Sequence, residues 1–275
     1  MKIANDISGI NNARMLQTSQ NAQKKSMEKL ASGYKINRSA DDASGLSISE
    51  KMLKQIQGIN KAIDNANDGM SMVNTADGAM DEMGGMLQRL NDLAMKGSNG
   101  TLSADERSAI NEEAGQLLSD INRVSGSTVF NEMHVLENKS ADIQSGTDNT
   151  GSNRVEVSMK SVDADSLGVG GIDLSTAEGS RAALKPISDA IKTLQGQRSG
   201  LGAQYNRMSS TTRNLANVHE NTTSAYSRVR DTDMASEMMK LRKNQLLNKA
   251  QQQMAQKNRE DRAAQTNALQ NIQLH

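Results

Sequence analysis

Apolar residues along this chain recur at alternating steps of three and four. Ile56, Ile59, Ile63, Ala66, Met70 and Val73 open one such series, and Met80, Met83, Leu87, Leu90 and Ala94 resume it after a slip near Asp77. That spacing keeps one stripe on one side of a helix, so it predicts a single helix of about 45 residues with a coiled-coil-like seam. A second series, Ile110, Ala114, Leu117, Ile121 and Val124, follows Ser103-Ala104-Asp105-Glu106. Ser followed three residues later by Glu is a capping box, which fixes where that helix starts. Gly97 to Gly100 supplies the turn between the two, making them antiparallel neighbours. Past Pro186 a third series runs Ile187, Ile191, Leu194, Arg198, Leu201, Tyr205, Met208, Thr212, Leu215, His219, Thr222, Tyr226 and Val229. Several of its seam positions are polar, which fixes register at some cost in stability.

Between these helices the pattern changes period. Val155, Val157 and Met159 alternate with polar neighbours, and Ile143 lies in a second short run across Asp148-Asn149-Thr150-Gly151. A β-hairpin is predicted there, followed by a loop rich in Ser, Gly and Asp up to about residue 180. The two ends look different again. Ile3, Ile7 and Ile10 start a helix, yet Asn11, Asn12, Arg14, Gln17, Gln20, Asn21 and Gln23 follow. At the other end Leu241, Leu246 and Leu247 precede Gln251-Gln252-Gln253 and Gln265-Thr266-Asn267. Ordering each backbone residue costs about 1–2 kcal/mol, and so few large side chains return too little to hold such ends alone. They are helical in character and need partners: each other, and further copies of the chain.

Composition sharpens this into a fold class. One proline, no cysteine, no tryptophan and 1% aromatic residues leave small and unbranched side chains to fill the interior. Narrow seams between long helices suit such side chains better than a thick core does. The expected fold is mainly α: a long-helix rod, three-helix and coiled-coil-like, with a small β-hairpin and paired N- and C-terminal helices. Lys+Arg and Asp+Glu each number 32, so no net field draws nucleic acid or anionic lipid. No apolar run is long enough to span a membrane. The first residues carry no apolar signal-peptide core, which predicts either a cytoplasmic protein or export by a route without a cleaved signal.

Two stretches resemble a known family. Residues 30–48, Leu30-Ala31-Ser32-Gly33-Tyr34-Lys35-Ile36-Asn37-Arg38-Ser39-Ala40-Asp41-Asp42-Ala43-Ser44-Gly45-Leu46-Ser47-Ile48, are similar to the N-terminal signature of bacterial flagellins. Ser227-Arg228-Val229-Arg230-Asp231-Thr232-Asp233-Met234-Ala235 resembles the C-terminal one, and Leu87-Gln88-Arg89 and Arg123–Asn131 also match. The resemblance implies a structural subunit that polymerises into the flagellar filament, with a minor axial protein such as a hook–filament junction protein as the alternative. It divides the chain into an inner helical domain (1–44 with the connector, and 234–275), outer rod helices (45–139 and 181–233), and a hairpin with a reduced variable region (140–180). It implies extracellular location after flagellar type III export, a chaperone on the C-terminal segment, and contacts with filament cap and junction proteins. Ile3, Ile7, Ile10, Leu241, Leu246 and Leu247 become filament-interface residues, exposed in the monomer and buried on assembly. Arg38, Asp41 and Asp42 fall in the connector, the acids matched to Arg38 or to a neighbour's arginine. Arg89, Leu93 and Glu113 match positions that a host Toll-like receptor contacts in some flagellins, with Leu93 expected to flank the seam. The tail departs from the family pattern: Lys257-Asn258-Arg259-Glu260-Asp261-Arg262 is a charged stretch that bears on the register of the terminal helix.

No enzymatic chemistry emerges. His134, His219 and His275 are far apart in sequence, and no paired metal-ligand spacing exists. Gly168-Val169-Gly170-Gly171 lacks the lysine and helix of a phosphate loop. No cofactor is expected. The 17 methionines read as adaptable packing.

Overall fold

The computed structural model describes residues 7–148 and 153–273; Ile3 and the centre of the hairpin turn lie outside them. Five helices and two small hairpins follow in order. They are α1 (Ile7–Ser32), α2 (Ala43–Gly97), α3 (Ala104–Ser127), β1 (Val129–Phe130), β2 (Met133–His134), β3 (Lys139–Gln144), β4 (Arg154–Met159), α4 (Ala177–Arg230) and α5 (Met234–Gln273). Contacts divide the chain into one unit of residues 1–54 with 222–275, and another of residues 55–221.

The second unit contains the predicted long helices. At the start of α3, Ser103 Oγ accepts the Glu106 N–H at 3.3 Å, and the Glu106 carboxylate accepts the Ser103 N–H at 2.8 Å. The capping box is therefore closed in both directions. Helices α2 and α4 run antiparallel in one register: Arg198 meets Asp77 and Asp81, and Leu194 lies opposite Gly84. Gly97 shows why the helices end where they do. A Cβ there would sit 2.5 Å from Ser180 Oγ of α4 and 3.8 Å from Ile110 of α3, so only glycine lets α2 fit between both. One buried cluster joins Met80, Met83, Leu87, Leu90 and Ala94 of α2 to Ile110, Ala114 and Ile121 of α3 and to Ile187, Leu194 and Leu201 of α4.

The predicted hairpin forms from β3 and β4, pairing antiparallel with Ile143 opposite Val155 and Ala141 opposite Val157. Val155, Val157 and Met159 face the core. Three features depart from expectation. Helix α4 begins at Ala177 and carries Pro186 inside it. Thr176 caps that earlier start through the Gly179 and Ser180 N–H groups, and the buried Ser180 and Ala183 compensate for the hydrogen bond that proline removes. The loop after β4 is a loop, but Val162, Ala164, Leu167, Val169 and Leu174 are buried in the core. Asn122 and Asn111 of α3 hold it, their Oδ1 atoms accepting the Ala164 and Leu174 N–H groups at 2.9 and 2.8 Å. The second hairpin, β1–β2, turns through Asn131 and Glu132 with φ of 48° and 66°, a left-handed turn that apolar counting does not reveal.

Candidate assembly interface

In the first unit α1 and α5 lie side by side and antiparallel. Asn12 Nδ2 donates to the Gln251 carbonyl and Ser19 Oγ to the Asn244 carbonyl, while the Ser26 hydroxyl bonds Glu237. These three pairs share one register. The facing positions keep a strict heptad rhythm: 12, 16, 19, 23, 26 and 30 on α1, and 237, 241, 244, 248, 251, 255 and 258 on α5. What fills them is mostly polar. Ser19, Ser26, Glu237 and Asn248 are each no more than 7% exposed. Asn248 also donates to Gln23. Burial works to raise the Glu237 carboxyl, but the Ser26 hydroxyl and the Lys240 and Lys29 ammonium groups outweigh it and hold that carboxyl low.

Leu16, Leu30 and Leu241 are half-buried in the seam, but most large apolar side chains point the other way. Ile10 is 61% exposed, Leu246 68% and Leu247 41%, and Met15, Met27, Met238, Met239 and Met254 are exposed as well. Leu246, Leu247, Met238 and Met239 line one shallow depression of about 660 Å³, flanked by Arg242 and Lys243. Met15 and Leu247 share the next one, of about 530 Å³, between the two helices. The pair is thus largely inside out: the seam is mostly polar and hydrogen-bonded, and most of the hydrocarbon faces outward. Soluble monomers rarely expose such contiguous apolar surface without a partner for it. Of the other end residues, Leu241 is half-buried in the seam and so departs from the expected exposure, because its heptad position turns it toward α1. Ile7 begins α1. The charged stretch after Gln256 does not break α5, and Ala255 and Asn258 continue the heptad rhythm through it.

Between α1 and α2 the connector is held by its own carboxylates. Asp41 Oδ2 accepts the Asn37 and Arg38 N–H groups, each at 3.2 Å, and the Arg38 N–H bond is the main reason its carboxyl is held low. Asp42 Oδ1 accepts the Gly45 N–H at 2.9 Å and caps α2. The Arg38 side chain turns instead to Glu28 at 2.8 Å. No Arg38–Asp41 side-chain pair forms, because backbone N–H groups already occupy the carboxylate. Gly33 ends α1 at a φ of 75°, and the chain then crosses the α4–α5 junction. There Lys35 N–H donates to the Arg230 carbonyl at 2.7 Å, and the Arg230 guanidinium lies 4.8 Å from the Tyr34 ring centre and 5.9 Å from that of Tyr226. Neither aromatic contact was legible from spacing, although the signatures around residues 30–48 and 227–235 marked the place.

Arg89 and Glu113 meet across α2 and α3, the Arg89 Nη2 atom 2.7 Å from Glu113 Oε1. Leu93 does not join them at the surface. It is 3% exposed and belongs to the buried cluster. The expected place beside the seam assumed one buried face on α2, whereas neighbours on two sides bury both Leu93 and Ala94. Among the described residues no cluster of metal-ligating side chains occurs, and no helix is long and apolar enough to cross a membrane.

Comparison with known proteins assigns the architecture. Residues 3–141 match the bacterial flagellin N-terminal helical region and residues 184–266 the C-terminal helical region. The chain is 37% identical to a flagellin of Halalkalibacterium halodurans over 266 residues, covering 96% of this chain and 98% of that protein. It is 36% identical to the Bacillus subtilis flagellin, covering 92% and 95%, and 36% identical to the 31.3 kDa flagellar filament core protein of Treponema maltophilum, covering 91% and 93%. The crystal structure of Bacillus cereus flagellin superposes with a TM-score of 0.50 at 27% identity, over 55% of this chain and 88% of that one. With both terminal helical regions in place and relatives matched over nearly their whole length, this chain belongs to the bacterial flagellin family.

Proposed function

We infer that this protein is a structural subunit that polymerises into a bacterial flagellar filament. The observation that carries this is the inside-out pairing of α1 and α5. An open helical array repeats one heterologous contact without closing, and the outward Ile10, Leu246 and Leu247 give every copy apolar surface to bury in its neighbours. Filament core proteins and flagellins among its relatives support the same reading, and a junction protein has no better support. The test is electron microscopy of the purified full chain with truncations lacking residues 1–40 or 236–275. Long filaments from the full chain and none from either truncation are expected, with the rod helices α2, α3 and α4 still helical by circular dichroism. Short caps alone would point to a junction protein, and filaments from a truncation would overturn the role of the ends.

Several partners follow from this role. The exposed C-terminal strip, left open before assembly, calls for an export chaperone, and cap and junction proteins meet the filament ends. Export through the flagellar type III route fits a chain without cysteine and with small core side chains. The protein acts as a building element and not as a catalyst. Recognition by a host Toll-like receptor would rest on the exposed Arg89–Glu113 pair, since Leu93 is buried in the core cluster. Receptor activation by monomer should fall for Arg89→Ala, and an unchanged response would end that reading.

A further inference from the structure

The outward face of the end helices is built largely from thioethers. Met15 is 62% exposed, Met238 44% and Met239 69%, and all three line the depressions that Leu247 shares. Other methionines, Met72, Met80, Met83 and Met208, are enclosed in the core of the second unit. A methionine sulfur is both a soft apolar contact and an oxidisable one, and its sulfoxide is polar. Met95 at 59% and Met133 at 48% are exposed in the second unit as well, but Met239 and Met15 are among the most exposed sulfurs, and with Met238 they line the surface that assembly needs apolar.

We propose that Met15, Met238 and Met239 form an oxidation site that controls assembly of this chain. The oxidant is a peroxide. The thioether sulfur attacks one peroxide oxygen, the O–O bond breaks, that oxygen stays as the S=O group, and the other leaves as water carrying both protons. Sulfur loses two electrons and the peroxide gains them. Each sulfoxide places a strong, hydrated acceptor on a surface that must be dried against a neighbouring copy, and stripping its water costs free energy beyond what the flanking Arg242 and Lys243 return. Oxidised monomer stays folded, because the core sulfurs are shielded, but it no longer polymerises. Once in the filament the same sulfurs are covered and are protected.

This inference rests on the filament-subunit reading, and the experiment separates the two. Full-length monomer is treated with hydrogen peroxide, oxidation is mapped by peptide mass spectrometry, and assembly is followed by sedimentation. The triple variant Met15→Leu, Met238→Leu, Met239→Leu is treated alongside, since leucine keeps the hydrocarbon and removes the sulfur. Met15, Met238 and Met239 should oxidise before Met83 and Met208, with unchanged circular dichroism. The concentration needed for assembly should rise about tenfold or more, the factor that 1.4 kcal/mol of lost contact produces. The leucine variant should assemble equally well with and without peroxide, and preformed filaments should resist oxidation at these positions. Normal assembly of the oxidised chain, or equal loss in the leucine variant, would overturn the proposal. Failure of untreated protein to assemble would instead overturn the filament reading.

Discussion

Arg198 offers a quantitative test of how α2 and α4 are held together. Its Nε atom lies 2.8 Å from Asp77 Oδ1 and its Nη1 atom 2.6 Å from Asp81 Oδ1, so one planar fork spans two acids a helical turn apart. The Arg198 side chain is 34% exposed, against 44% for Asp77 and 70% for Asp81. Charge-assisted bonds are worth about 1.5–3 kcal/mol when shielded and about 0–1 kcal/mol at the surface, so this half-shielded clamp should contribute about 1–2 kcal/mol. Removing the arginine also leaves two like charges four apart on α2, a further cost of about 0.2–0.5 kcal/mol. Arg198→Met should therefore lower the melting temperature by roughly 2–10 °C for a unit of this size. Arg198→Lys should recover only part, because an ammonium cannot bridge both carboxylates in the same plane. The assay is thermal unfolding of Arg198→Met, Asp77→Asn and the double variant, read as a double-mutant cycle. A coupling energy below about 0.3 kcal/mol would refute the clamp, since that is the limit within which independent sites add.

Leu87→Ala should cost about 2.7–5 kcal/mol in urea unfolding, because Leu87 is fully enclosed and its loss leaves a cavity. Ser103→Ala should cost about 1 kcal/mol by the same measurement, the hydroxyl being one half of the α3 capping box. Glu237→Gln tests the polar seam through pH. The folded carboxyl titrates below its ordinary value of 4.5, so its contribution is complete above that value and is lost as pH falls through the lowered one. The variant should flatten this acid limb in a helicity titration of the full chain, and an identical acid profile would contradict the assignment.

How much of this was legible in the sequence depended on what filled the seams. In α2 and α3 the heptad positions hold Met83, Leu87, Leu90, Ile110 and Ile121, and counting apolar steps located both helices and their cap. The β3–β4 hairpin was equally readable, because one face is dry and the other wet. In α1 and α5 the same rhythm exists, but Ser19, Gln23, Ser26, Asn244 and Asn248 occupy most of it, so an apolar count sees only sparse residues, most of them outward. Those outward residues nevertheless marked the ends as needing partners. The buried run Val162 to Leu174 was hidden for the opposite reason: irregular backbone has no period, so its apolar side chains carry no pattern. Leu93 illustrates the limit of a single stripe, since a helix with neighbours on two sides buries residues that one seam places at its edge.

The claim that matters most is that the outward face of the end helices drives assembly while contributing nothing to the fold of the free chain. Leu246→Ser with Leu247→Ser addresses it directly, since these residues are 68% and 41% exposed and line the apolar depression. Fully burying a leucine is worth about 1.5–3 kcal/mol; Leu246 and Leu247 retain 68% and 41% of their surface to bury, and on this account every copy in a filament does so. Sedimentation and electron microscopy should find the variant monomeric at concentrations where the unmodified chain is filamentous, with the same thermal unfolding curve. Filaments formed at the same critical concentration as the unmodified chain would contradict the account.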